Sequence, residues 1–299
     1  MIRRVVVCGL AWLALAPNAS AQSCPAGPMA VQILGSGGPR VTRDRASTSY
    51  LVWIDGQAKV LVDAGGGAFL RFGESGARLD DLALVAISHL HPDHVSDLPA
   101  LLWSIDGARK DPPLPIAGPT GNDGVPGFQK FLKLLFDQEQ GAFQVLGGTI
   151  GGSGRGVPLE VTVLDAAKRA SLPVFNRQGI TVTAIGVPHG NIPALAYRVQ
   201  ANNKAIVFSS DQNGSDPSFV EFVRGADVLV MHLAIPTGGA SPLHASPAVV
   251  GRVARDARVG RLVLSHIGQF DLDAAIADVK KSYTGPVTVG VDLLCTPVP

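Results

Sequence analysis

The stretch that decides the fold is Ser88–Asp97, SHLHPDHVSD. It holds three histidines and two aspartates, in a chain with seven histidines in all. The run leading into it, LALVAIS (82–88), is nearly continuous in apolar residues, as a strand buried on both faces is. The polar cluster therefore follows a strand end. Within HLHPDH (89–94), His89 and His91 lie two apart on an extended segment and face one way. Pro92 then starts a new turn that carries Asp93 and His94. Burying four such groups without a cation leaves several polar atoms unpaired, at high cost. Neutral imidazole and carboxylate are common ligands of zinc and similar divalent metals. The competing readings are a solvated loop and, for any single histidine, a buried ring with one hydrogen bond.

Working outward, other polar residues also follow apolar runs. TAIGVP (183–188) leads to His189, IVFSS (206–210) to Asp211, and LVLS (262–265) to His266. In α/β sheets, ligands collect beyond the carboxyl ends of strands. Strands are expected at 29–35, 49–55, 59–65 and 82–88, and again at 180–187, 195–200, 204–210, 227–232 and 261–266. Between the two sets, Val125, Phe128, Phe131, Leu132, Leu135 and Phe136 repeat at helix spacing. The glycine-rich LGGTIGGSGRG (146–156) reads as an exposed loop. Ser246-Pro247 opens a later helix as cap and first residue. DLDAAIADVKKSY (271–283) has acids in its first turn and lysines in its last, matching a helix dipole. Strands come first in each half, then strands and helices alternate. That order implies two similar α/β halves, their sheets face to face and their helices outside.

Residues 1–21 have the three parts of a secretory signal peptide: MIRR, the apolar VVVCGLAWLALA, and ASA before the cleavage site. Residues 22–299 are then one exported domain, periplasmic or secreted. No later apolar run is long enough to span a bilayer. Export leaves Cys24 and Cys295, at opposite ends of the mature chain. They are read either as one disulfide tying the termini together or as two unpaired thiols. A net charge of +1 argues against a polyanion-binding surface, so no nucleic-acid partner is expected. A homodimer is allowed, dimers being the commonest oligomers.

His89-x-His91-x-Asp93-His94 resembles the signature of the metallo-β-lactamase superfamily. ILGSGGP (33–39), SYLVWIDGQAKVLVDAG (49–65), GPTG (118–121), PHGNIPALAYRV (188–199), FSSD (208–211) and LVLSHI (262–267) follow in the superfamily's order. The resemblance implies a four-layer αβ/βα sandwich with two divalent metals at one edge, zinc first, with manganese or iron as alternatives. It implies that His89, His91 and His189 bind one metal, Asp93, His94 and His266 the second, and that Asp211 bridges both. Asp63 resembles an acid that orients a ligand histidine; a strand-end turn aspartate is the other reading. The two metals would acidify a water to a hydroxide that attacks the substrate. No G-x-S-x-G elbow or cysteine nucleophile competes with that route.

The aspartate at 211 resembles the lactonase, phosphodiesterase and ribonuclease Z branches rather than the true β-lactamases. PLHASPAVVGRVARDARVGRLVLSHI (242–267) resembles the ribonuclease Z and arylsulfatase/phosphodiesterase branch, where a histidine precedes a helix, a strand and the last ligand. Matching it, His244 joins Asp93 as a catalytic candidate, donating a proton or stabilising a phosphoryl oxygen. Its bland alternative is an exposed helix-start residue. Ribonuclease Z itself carries His-Glu-Ala-Thr where this chain has HLAI (232–235), so Leu233 replaces the acid and His232 reads as a buried strand-end residue. The expected function is metal-dependent hydrolysis of a small phosphodiester or sulfate ester, with a lactonase or thioesterase as the alternative. A true β-lactamase, a ribonuclease Z and a binding protein without chemistry rank below these.

Overall fold

The structure is a computed structural model that describes Cys24 and residues 27–104 and 111–299. The signal-peptide reading of residues 1–21 lies outside the described residues. The first half contains β1 (Met29–Gly35), β2 (Ser49–Ile54), β3 (Gln57–Val62), α1 (Ala68–Glu74), β4 (Leu84–Ala86), α2 (Pro92–Val95), α3 (Leu98–Ser104), β5 (Leu114–Pro119), α4 (Phe128–Phe136) and β6 (Leu159–Leu164). The second contains β7 (Leu172–Arg177), β8 (Ile180–Val187), β9 (Ala194–Ala201), β10 (Lys204–Phe208), α5 (Pro217–Val223), β11 (Val228–His232), α6 (Pro247–Asp256), β12 (Arg261–Ser265), α7 (Leu272–Lys280), β13 (Val287–Val289) and β14 (Cys295–Pro297).

Two seven-stranded sheets result, in the orders β14-β1-β2-β3-β4-β5-β6 and β13-β12-β11-β10-β9-β8-β7. Neighbours from β3 to β6 are parallel, as are those from β10 to β13, so their carboxyl ends gather at one edge of each sheet. Both faces of the central strands are covered, with a period of two. On β2, Tyr50, Val52 and Ile54 face the other sheet, while Leu51 and Trp53 face helices. On β11, Val228 and Val230 face inward, and Leu229 and Met231 outward. α4 lays Phe128, Leu132 and Phe136 on the first sheet, and α6 and α7 lay Val250, Val253, Ala275 and Val279 on the second. The layers are those of the αβ/βα sandwich, with one core between the sheets and one under each helical layer.

Several elements differ from the sequence reading. β5, β6, β7, β13 and β14 were not expected: LPIAGP is broken up by two prolines and a glycine, LEVTVL and LPVFNR are half-exposed, and the last two strands have three residues each. α4 begins at Phe128 rather than Val125, because Pro126 and the extended Gly127 hold the chain out of the helix. The glycine-rich segment is an exposed loop only in its second part. Gln144–Ile150 form a 3-10 helix that buries Leu146, Gly147 and Thr149.

Of the two readings for the cysteines, the structure has the disulfide: Cys24 and Cys295 are bonded, with Cα atoms 5.5 Å apart. The bond ties the segment before β1 to β14, which pairs with β1. Among the described residues, no helix is long and apolar enough to cross a membrane.

Candidate metal centre

The strand ends named above converge. β3 runs into Asp63, β4 into Ser88 and His89, β8 into His189, β10 into Asp211 and β12 into His266. All seven histidines of the chain meet here, each ring within 6.3 Å of another histidine or tyrosine ring. Sharp backbone bends aim the side chains. Asp63, Ser210 and His266 have φ of 59°, 57° and 51°, a left-handed conformation that costs about 1–3 kcal/mol per non-glycine residue. The loop from β1 to β2 passes directly over His266. A Cβ on Gly38 would lie 2.3 Å from the ring's Cε1, so only glycine fits.

Two groups of donor atoms form. In one, His91 Nδ1 lies 3.0 Å from His89 Nε2 and 3.4 Å from His189 Nε2. Asp211 Oδ2 is 3.7 Å from His89 Nε2 and 3.6 Å from His189 Nε2. In the other, Asp93 Oδ2 is 3.3 Å from His266 Nε2 and 3.6 Å from His94 Nε2. Asp211 Oδ1 faces this second group, 3.3 Å from His266 Nε2. Asp211 Oδ2 is also 3.7 Å from His94 Nε2, so this carboxylate lies between the two groups.

Neighbouring residues leave the inward nitrogens bare. Asp63 accepts the Ser88 amide at 2.7 Å, the Ser88 hydroxyl at 2.8 Å and His94 Nδ1–H at 2.8 Å. It is therefore the orienting acid rather than a mere turn residue. His89 Nδ1–H donates to Ser88 Oγ at 3.1 Å, and His189 Nδ1–H to the Leu243 carbonyl at 2.9 Å. Each contact turns Nε2 into the site, as partners behind metal-binding histidines do. Burial pushes His89, His91 and His189 below the usual histidine range, so they stay neutral. Burial alone would raise the Asp211 carboxyl, but His266 and the hydrogen bond from His232 hold it well below the usual carboxylate range.

Two further histidines complete the cluster. His244 precedes α6 as expected and is half-buried rather than exposed, its Nδ1 3.8 Å from Asp211 Oδ1 and without a hydrogen bond. Burial lowers it to about 4. His232 is buried at a strand end, as the sequence suggested, but it does more than pack: its Nδ1 lies 2.6 Å from Asp211 Oδ1. The signal was the period of two along β11, which turns His232 the same way as Val228 and Val230.

Asp93 Oδ2, His94 Nε2 and both nitrogens of His266 are buried without a hydrogen bond among the described residues. Unpaired buried polar atoms are costly, and Asp93 Oδ2, His94 Nε2 and His266 Nε2 all face one another. Metal–nitrogen bonds of 2.0–2.1 Å in a tetrahedral site place ligand atoms about 3.3 Å apart, which matches the spacings above. The residues fit divalent cations: His89, His91, His189 and Asp211 for one, Asp93, His94 and His266 for another. Beside them opens a cleft of about 230 Å³, with His244 and His266 inside and Pro39, Ile235 and Ile267 among its walls. Arg40 is the one charged side chain among its lining residues.

The family model of the beta-lactamase superfamily domain matches residues 58–267. The chain is 29% identical over 283 residues to ribonuclease Z of Mycobacterium bovis (strain BCG / Pasteur 1173P2), covering 88% of this chain and 96% of that one. Among solved structures, the metallo-beta-lactamase fold protein YhfI from Bacillus subtilis has a TM-score of 0.70 at 22% identity, over 90% of this chain and 99% of YhfI. The short form of human tRNase Z has a TM-score of 0.68 at 20% identity, over 90% and 99%. The matched span runs from β3 through His266 and encloses every residue of both donor groups, and the chain belongs to the beta-lactamase superfamily.

Proposed function

We propose that the protein is an exported, metal-dependent hydrolase of phosphodiesters. The observation that carries the reading is the paired donor groups opening on a cleft whose polar lining is imidazole and guanidinium, with no carboxylate among its lining residues. His89, His91 and His189 would hold one ion and Asp93, His94 and His266 the other, with Asp211 between the two groups. Two divalent ions, zinc or else manganese or iron, would supply an acidified water as nucleophile and Lewis acidity toward the ester oxygens.

The chain's own residues do the rest. Arg40 draws an anionic diester to the cleft mouth and favours it over a neutral lactone or thioester. Pro39, Ile235 and Ile267 exclude bulk water around the ester. His244 has no acid partner, because Leu233 stands where the ribonuclease Z branch carries glutamate. Its neutral ring therefore donates an N–H hydrogen bond to an ester oxygen and steadies the charge that grows there. A sulfate monoester carries the same single charge on a similar tetrahedral group and is the nearest alternative within this reading. Export is supported by the N-terminal run and by the disulfide, which suits an oxidising compartment.

The relatives named ribonuclease Z favour phosphorus over sulfur, and they make RNA the second reading. Leu233, the +1 net charge and export weigh against it. The deciding experiment is hydrolysis of bis-p-nitrophenyl phosphate by protein loaded with zinc or manganese, beside a metal-stripped control and a precursor tRNA. Metal-dependent turnover of the diester without RNA cleavage is expected. RNA cleavage would favour the second reading. With two ions bound and neither substrate turned over, the phosphodiester reading falls, and lactones, thioesters and sulfate esters come next.

A further inference from the structure

His232 belongs by proximity to a third set of possible ligands, with Asp211 and His266. Its hydrogen bonds exclude that role. A ligand needs a bare nitrogen, and His232 has none: Nδ1 meets Asp211 Oδ1 at 2.6 Å and Nε2 meets the Tyr50 hydroxyl at 3.0 Å. The order of donors follows from chemistry. An ionised carboxylate only accepts, so Nδ1 carries the proton and donates to Asp211. The Nε2 of a neutral ring then accepts, so Tyr50 O–H donates to it. Tyr50 is 1% exposed and its ring packs on Phe208 at 5.3 Å, which fixes where the hydroxyl points.

The two ends of this chain of bonds lie on different sheets. Tyr50 is on β2 of the first sheet, the half that supplies His89, His91, Asp93 and His94. His232 ends β11 of the second, the half that supplies His189, Asp211 and His266. A second buried tyrosine does the converse: Tyr197, on β9 of the second sheet, donates to the Ile87 carbonyl at 2.9 Å, two residues before His89. Each half thus sends one tyrosine across the core to a strand end of the other, Tyr197 to the one that leads to His89 and Tyr50 to the one whose His232 holds Asp211.

We propose that Tyr50 and His232 form a buried relay that fixes the Asp211 carboxylate between the two halves of the donor set, making both of them positioning residues for the metal centre. The inference rests on the reading of Asp211 as a shared ligand. A carboxylate turns easily about its last bond. Holding Oδ1 on His232 leaves Oδ2 facing His89, His94 and His189 at 3.6–3.7 Å. Without the relay, the oxygen that faces each set of donor nitrogens is no longer set.

Tyr50→Phe tests this, because it removes one hydroxyl and keeps the ring on Phe208. The readouts are zinc affinity by chelator competition, the visible absorption spectrum of the cobalt-substituted protein, and unfolding of the metal-free protein. We expect zinc affinity roughly 10–100-fold weaker and an altered cobalt spectrum, with the variant still folded. His232→Gln should do the same. Wild-type zinc affinity and an unchanged cobalt spectrum in Tyr50→Phe would overturn the relay. Asp211→Asn separates the two ideas: lost metal there beside an unaffected Tyr50→Phe sinks the relay alone, whereas full metal binding in Asp211→Asn sinks the shared-ligand reading and the relay with it.

Discussion

His244 shows how a missing neighbour sets a residue's chemistry. Its ring lines the cleft beside His266, yet Nδ1 makes no hydrogen bond, and the nearest carboxylate oxygen, on Asp211, is 3.8 Å away and bonded to His232. Burial brings it to about 4, so at neutral pH it carries no extra proton to give a leaving group. It can still offer one N–H to an ester oxygen. His244→Ala should therefore keep both ions and slow turnover by about 10²–10³-fold, the range found on removing one oxyanion donor. The loss should be similar for diesters with good and poor leaving groups, because the hydrogen bond serves an oxygen common to both. Rates measured across a series of substituted phenyl leaving groups check this. A loss that steepens with leaving-group basicity would make His244 a general acid instead. Asp63 is the contrasting case: three hydrogen bonds fasten its carboxylate, and through it His94 and Ser88 are aimed.

At the scale of elements, the loop between β1 and β2 is the part of the scaffold that most directly touches the site. Gly38 allows it to lie on His266, and Asp292 anchors it, accepting from the Ser36 amide at 3.0 Å, the Ser36 hydroxyl at 2.7 Å and the Ala46 amide at 2.7 Å. Gly38→Ala should displace the His266 ring, lowering bound zinc from two ions toward one and turnover at least tenfold. Gly56→Ala is the control: it has a φ of 76° but open space around it, so it should lose about 1–2 kcal/mol of stability and no metal. Elemental analysis and calorimetry read both; equal zinc content in Gly38→Ala and the parent would refute the prediction. The strands that carry ligands were legible because both their faces are buried, which writes them as apolar runs such as LALVAIS and LVLS. The polar residues just past them were legible for the same reason. β6 and β7 were not, since their outward faces mix polar with apolar residues. β13 and β14 are too short to show a period. Tyr50 and His232 each look like ordinary core positions along their own strands. Their pairing arises only where two sheets meet, and no spacing along the chain records which inward residue opposes which.

At the scale of the whole molecule, the two halves meet across the core between the sheets, at the ligand edge and through the C-terminal strand. β14 leaves the second half and adds to the first sheet beside β1, where Val31 pairs with Thr296 and Val298 closes the inter-sheet core. A strand of three residues holds such a place weakly by itself. The Cys24–Cys295 bond closes it, spanning a sequence separation of 271. Loops this long lose much chain entropy when cross-linked, and removing such bridges typically costs about 2–4 kcal/mol. The ligands do not depend on the bond, because the loop over His266 is anchored by Asp292 through its own hydrogen bonds. A Cys24→Ser, Cys295→Ser double variant should therefore unfold roughly 5–12 °C lower. At 25 °C it should bind both ions and turn over substrate at the parent rate. Thermal unfolding of the metal-free proteins, with turnover measured beside it, checks both halves of the prediction. An unchanged midpoint would show that β14 holds without the bridge, and a lost activity at 25 °C would show that the C-terminal strand reaches the site by more than Asp292.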